Sequence, residues 1–134
     1  MNPYTACGVW PDRAELVATV VDTEARLHRT AVAPLDDLAC WGFLADLEDR
    51  HGRDLQLVLP EPLLRGHALA LAARALHMTV LAAPAPLVEA IAAVAYSRAG
   101  PQRLATVLAR LPGSPFHGHL RLLPRRDPRQ MLLL

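Results

Sequence analysis

The side chains able to do chemistry in this chain are unevenly placed along it. Of 134 residues, 14 are basic, all of them Arg, 13 are acidic and six are His. Residues 1–97 hold 7 Arg against 12 acids, a net of −5, whereas residues 98–134 hold 7 Arg against Asp127 alone, a net of +6. The formal charge of +1 conceals this asymmetry. A basic end on an acidic body points to an anionic partner or to self-association. Arg103 and Arg110 stand seven residues apart and share one helical face with Gln102 and Thr106; Arg121, Arg125, Arg126 and Arg129 follow. Solvated charge is one reading of these arginines. The other is contact with the phosphates of DNA or RNA, for which the guanidinium fork is suited. They are the candidate nucleic-acid-binding residues. Phe116 is the one aromatic ring in the basic segment. That argues against a single-strand reader that stacks bases, and leaves contact with a duplex backbone open.

Other reactive side chains give weaker patterns. His117 and His119, in "HGH", bring two imidazoles together without a nearby Cys or clustered carboxylates, so a loop is expected there rather than a metal site. His67, Arg74 and His77 fall on one helical stripe, read as the solvent face of a helix otherwise made of Ala and Leu, with a phosphate or partner contact as the alternative. Cys7 and Cys40 fall in a predicted strand and a predicted helix, as buried free thiols. The aromatic fraction of 4% disfavours a cofactor pocket walled by rings, and no cofactor is implied. No apolar run reaches the roughly 18 residues of a membrane span, and no signal-peptide pattern opens the chain, so a cytoplasmic protein without membrane contact is expected. The apolar "MLLL" at residues 131–134 is disfavoured in water and suggests docking on its own domain, on a protein partner or on a second copy.

Elements of regular structure must position these groups. A length of 134 residues suits one core. A strand over residues 5–10 should end at a turn on Pro11 and Asp12. In "ELVATVVD", Leu16, Ala18 and Val20 point one way and Val17, Thr19 and Val21 the other. Both faces are largely apolar, as in a strand covered on both sides. "RLHRTAVA" reads as a third strand at a sheet edge. Pro34 should open a helix through "LDDLACWGFLADLEDRHG", with Leu35, Leu38, Trp41, Leu44 and Ala45 as its apolar face. Strands over residues 54–59 and 79–84 flank a helix begun by Pro62, and two further helices follow, the second from Pro101 to Leu111. Strands joined by short turns are antiparallel and strands joined through helices are parallel. The expected fold is α/β: three antiparallel strands and then βαβ units in a mixed five-stranded sheet flanked by helices. Residues 1–111 form the domain and residues 112–134 a basic Pro/Gly-rich arm, tail or final strand around "HLRLL".

This element order resembles the ribonuclease H-like fold, and more specifically the N-terminal RuvC-like domain of pilin invertase and related DEDD transposases. In that family the first strand and turn run glycine, apolar residue, aspartate. "GVWPDR" followed by "AELVATVVD" keeps the length and apolar pattern. The second motif is a strand ending in glutamate before a helix, and "LVLPEPLLRGHALALAARALHMTVLAAP" keeps that strand, the helix and the next strand through Pro84. The third is a pair of aspartates three residues apart opening a helix, to which "AGPQRLATVLARL" corresponds in spacing. The departures fall on the catalytic positions. Trp10 stands at the first aspartate, Pro60 or Glu61 at the glutamate, and Pro101 and Leu104 at the final aspartates. Two Mg²⁺ ions need several hard oxygen ligands near one phosphate, and Trp, Pro and Leu offer none. The resemblance thus implies a non-catalytic binding or assembly module, a degenerate transposase relative. A regulatory subunit that touches only proteins and a nuclease with relocated ligands are the alternatives.

Overall fold

The computed structural model describes residues 4–24, 26–34, 37–52, 54–63, 67–96 and 98–123. Tyr4–Asp12 (β1) and Glu15–Asp22 (β2) pair antiparallel, with Pro11 opposite Leu16 and Asp12 opposite Glu15. The turn therefore falls on Arg13 and Ala14, two residues beyond the expected place. Arg13 has φ 55°, the left-handed conformation that a two-residue hairpin requires. Leu27–Pro34 (β3) pairs antiparallel with β2, so Pro34 closes a strand where a helix start is expected from the sequence. Asp37–His51 (α1), Gln56–Glu61 (β4), His67–Ala75 (α2), Val80–Pro84 (β5), Ala85–Ala95 (α3) and Pro101–Arg110 (α4) follow. Two 3-10 turns, Leu111–Gly113 and His117–His119, lead to the two-residue strand Arg121–Leu122 (β6).

The strand order is β3-β2-β1-β4-β5-β6. β4 is parallel to β1 and β5 to β4, while β6 runs antiparallel to β5. The chain is α/β, with a mixed sheet of five strands extended at one edge by β6 and flanked by four helices. β3 is the opposite edge, as expected. The "HLRLL" segment supplies the final short strand.

Alternation along β2 assigns the layers. Leu16, Ala18 and Val20 join Cys7, Val9, Leu57 and Leu59 in one apolar cluster with Cys40, Phe43 and Leu44 of α1 and Leu69 and Ala73 of α2. Ala6, Val21, Val58 and Ala83 join Val88, Ala92, Val107 and Leu108 on the other face, beneath α3 and α4. Cys7 and Cys40 are buried thiols outside any disulfide, as their sequence positions imply.

Two helices depart from expectation. The buried stripe of α1 is Cys40, Phe43, Leu44, Leu47 and His51, at helical spacing. Leu38 is 83% and Trp41 44% exposed, and Ala45 is also exposed; Leu35 lies outside the described residues. The expected face is thus rotated toward solvent, and of its described residues Leu44 is the buried one. Leu44 and Leu47, fully buried, each contribute about 1.5–3 kcal/mol that Leu38 does not. The second helix begins at His67 rather than Pro62 and ends at Ala75, so His77, with φ 61°, lies beyond it. Arg74 is buried rather than solvated. Arg74 and His77 therefore do not share a solvent-facing helical stripe.

The tightest packing is between α4 and the sheet. A Cβ on Gly8 would fall inside contact distance of the Ala105 carbonyl oxygen, 2.5 Å from the Ala109 nitrogen and 2.8 Å from Leu108 Cβ. Ala105 and Ala109, one turn apart and both buried, keep the helix surface flat at that crossing. Thr106, between them, donates to the Gln102 carbonyl at 2.9 Å and lies 3.3 Å from the hydroxyl of the fully buried Thr19 on β2. Gly8→Ala should therefore cost about 3 kcal/mol or more, since backbone cannot yield as a side chain does. Gly42 on α1 has open space about its Cα, and Gly42→Ala should stabilise by about 0.5–1 kcal/mol. Urea denaturation of both variants checks the pair; equal effects would refute the account of α4.

Candidate functional site

Parallel strands end on the same side of a sheet, so the carboxyl ends of β1 and β4 bring Trp10 and Glu61 to one edge. The first half of α4 faces that edge, because Leu104 packs in the cluster that includes Trp10. Its last turn lies at the opposite end, where Ala109 and Arg110 line a cleft with Val21, Asp22 and Gln56. This is the geometry in which the resemblance would gather its carboxylates.

The residues present there do not fit Mg²⁺. Trp10 and Leu104 are half-buried in apolar packing, and Pro60 is buried within β4. Among the positions that the resemblance singles out, Glu61 carries the carboxylate, and Arg121 of β6 binds it through Nε at 2.8 Å and through Nη2, both on Oε1. A guanidinium thus occupies the oxygen a metal would need. Among the described residues no group of three His, Cys, Asp or Glu is placed to hold a metal ion. Asp12 ends β1 at this same edge, opposite Glu15, without completing a metal-holding group. Asp22, opposite Tyr4 at the far end of the sheet, accepts the N–H groups of Glu24 and Arg26 at 2.9 Å each and shapes the turn into β3.

The candidate arginines divide between separate places. Arg103, near the start of α4, donates to the Arg98 carbonyl at 2.7 Å and lies 4.8 Å from the centroid of the Tyr96 ring, a cation–π distance. Arg110 is exposed at the other end of the helix, about 10 Å along the axis. Arg121 lies on the outermost strand with Glu61. Arg125, Arg126 and Arg129, like the "MLLL" segment, lie outside the described residues. The described part of the basic segment is therefore a dispersed positive surface, with Arg103 and Arg121 engaged within the protein. His117 and His119 are exposed in a 3-10 turn, with His117 Nδ1 2.9 Å from the Ser114 carbonyl oxygen.

A second concavity joins three separated segments. Ile91, Ala95 and Tyr96 from the end of α3, Val107 and Leu111 at the end of α4, and Phe116 line an apolar groove of about 180 Å³, with Arg110 and Ser114 at its margin. Sequence reading misses it. Its walls are far apart in the chain, and Phe116 falls in the segment that reads as an arm, tail or final strand. The one available signal is Phe116, a bulky ring among polar and turn-forming residues.

No family model matches the chain, and no curated protein shows significant sequence similarity to it. Among the described residues no helix is long and apolar enough to cross a membrane.

The Glu61–Arg121 pair gives a prediction. Arg121 is 57% and Glu61 26% exposed, so Arg121→Ala should cost no more than about 1 kcal/mol and less in high salt. With the other ligands absent, the freed Glu61 should still not recruit metal. Melting curves of Arg121→Ala with and without millimolar Mg²⁺ should superimpose, and a Mg²⁺-dependent rise in Tm would contradict the metal-free reading.

Proposed function

We propose that this chain is a catalytically silent module of ribonuclease H-like build, a degenerate relative of DEDD transposases, that binds nucleic acid through its basic C-terminal end. The order of three antiparallel strands followed by helix-linked parallel strands supports the fold reading. The observation that carries the loss of catalysis is the carboxyl edge of β1 and β4: Trp10 and Leu104 pack as apolar residues there, Pro60 is buried, and Glu61 is neutralised by Arg121. The charge of residues 98–134 supports an anionic partner. Arginines dispersed over a surface suit contact with the phosphate backbone better than reading of base edges.

A second reading, a module that binds protein, is favoured by the apolar groove at Tyr96 and Phe116. Such a hollow serves a side chain better than a phosphate.

One titration tests the first reading: labelled duplex DNA, single-stranded DNA and RNA across a salt series, with and without Mg²⁺, scoring binding and cleavage in the same samples. Binding that weakens with salt and no cleavage are expected. Replacing Arg125 and Arg126 with Ala should weaken binding to all sequences alike and lower the salt slope by about 1 for each phosphate no longer neutralised. Unchanged affinity in that variant would remove the C-terminal end from the interface. Mg²⁺-dependent cleavage abolished by Glu61→Gln would replace the silent module with a nuclease using relocated ligands.

A further inference from the structure

We infer that the outward face of α1 is the docking site for this chain's own C-terminal segment, residues 124–134, with "MLLL" over Leu38, Trp41 and Ala45 and the preceding arginines beside Glu48 and Asp49. Docking there is independent of nucleic-acid contact.

The face is apolar at one end and acidic at the other. Leu38, 83% exposed, Trp41, 44% exposed, and the exposed Ala45 recur at helical spacing, on the side of α1 turned away from Cys40, Phe43 and Leu44. A row of large apolar side chains open to water marks an interaction surface. One turn beyond Ala45, Glu48 and Asp49 line an open hollow with Ala45 and Gly52. Residues 36–54 hold six acids against Arg50 and Arg53, a net of −4, and Asp46 binds Arg50 at 2.8 Å.

The occupant follows from where the described chain leaves the fold. β6 runs antiparallel to β5, and the N–H of Leu123 donates to the Val80 carbonyl, so the chain departs at the edge where β4 and β5 begin. Leu123 is buried in the core cluster that α1 and α2 cover, which puts this exit on the α1 side of the sheet. α1 starts after Pro34 at the carboxyl edge and ends just before β4, so Glu48 and Asp49 stand at the edge that Leu123 reaches. A segment turning back along α1 from there meets the acids first, then Ala45, Trp41 and Leu38. Residues 124–134 run in the same order: Arg125, Arg126 and Arg129 come first, then the four apolar residues, and their net charge of +2 opposes that of the helix.

The length agrees. Eleven residues extend to at most about 36–40 Å. Four strand spacings, about 19 Å, separate β6 from β2, whose Leu16, Ala18 and Val20 share the core cluster with α1. From Asp49 back to Leu38 is about 16 Å of helix. The segment covers both distances. A partner chain would require no such match between the order of the segment and its point of exit.

The test is NOE-resolved NMR of the full chain labelled at its Met and Leu methyl groups. Cross-peaks from the methyls of residues 131–134 to the Trp41 indole and to Leu38 are expected, unchanged on dilution and absent between differently labelled copies in a mixed sample. Leu38→Ser, at an exposed position, should weaken the contacts with Trp41 while circular dichroism stays the same. Glu48→Arg with Asp49→Arg should lower the docking equilibrium about 3- to 10-fold, and less in high salt. Adding Arg126→Glu with Arg129→Glu to that variant should restore docking, a rescue that damage to the fold would not permit. Absence of cross-peaks to α1 in the unaltered chain, or cross-peaks at full strength after the Glu48 and Asp49 reversal, would overturn the proposal. Cross-peaks found only between copies would overturn docking within the chain and give the face to a dimer.

Discussion

The backbone of α4 lies on the backbone of β1 at Gly8, and much of the molecule is arranged to permit that approach. Ala105 and Ala109 present almost no side chain at the crossing, while Thr106 turns its hydroxyl toward Thr19 on the neighbouring strand. Since α4 is held across β1 and β2, its first turn overlies the carboxyl edge of the sheet and its last turn the opposite edge. The two ends of one helix therefore define the two regions of interest. The start shares an apolar cluster with Trp10, and the end, together with α3 and Phe116, frames the apolar groove.

The carboxyl edge of β1 and β4 is filled by apolar volume more than by charge. A cluster of carboxylates needs cations to hold it together, and apolar side chains need only volume. Trp10 and Leu104 supply volume, so the edge gains hydrophobic burial where acids would repel one another. Glu61, at the end of β4, is not left alone. Arg121 reaches Glu61 because the chain, after α4 and two tight turns, returns alongside β5 and continues the sheet by two residues. A short final strand thus delivers a counter-charge to the edge of its neighbours.

How much of this is legible in the sequence depends on whether the signal is local. The alternating apolar residues of β2 assign both of its faces correctly, because a strand covered on both sides has a pattern that neighbours cannot disguise. The strand and helix order is readable for the same reason. The face of α1 is not: Leu38 and Trp41 look like core residues, yet Cys40 and Phe43 are the ones buried in the core. Arg74 looks solvated and is buried, since the packing of α2 on α1 is invisible in α2 alone. At the candidate site, the residue types of Trp10, Pro60, Glu61 and Leu104 are legible one by one. The partnership of Arg121 with Glu61, 60 positions apart, and the groove are not, because both are made by residues that meet only after the sheet and helices have assembled.

The approach of Thr106 to Thr19 spans 87 positions of sequence. During synthesis the β1–β2–β3 meander leaves the ribosome with one apolar face waiting for a helix not yet made. At about 5–20 residues per second, roughly 4–17 seconds separate the emergence of β2 from that of the helix that covers it. In that interval Ala6, Val21 and the open strip along Gly8 form a surface with the shape and chemistry that chaperones capture, so the nascent chain's demand on them is set by the position of its last helix.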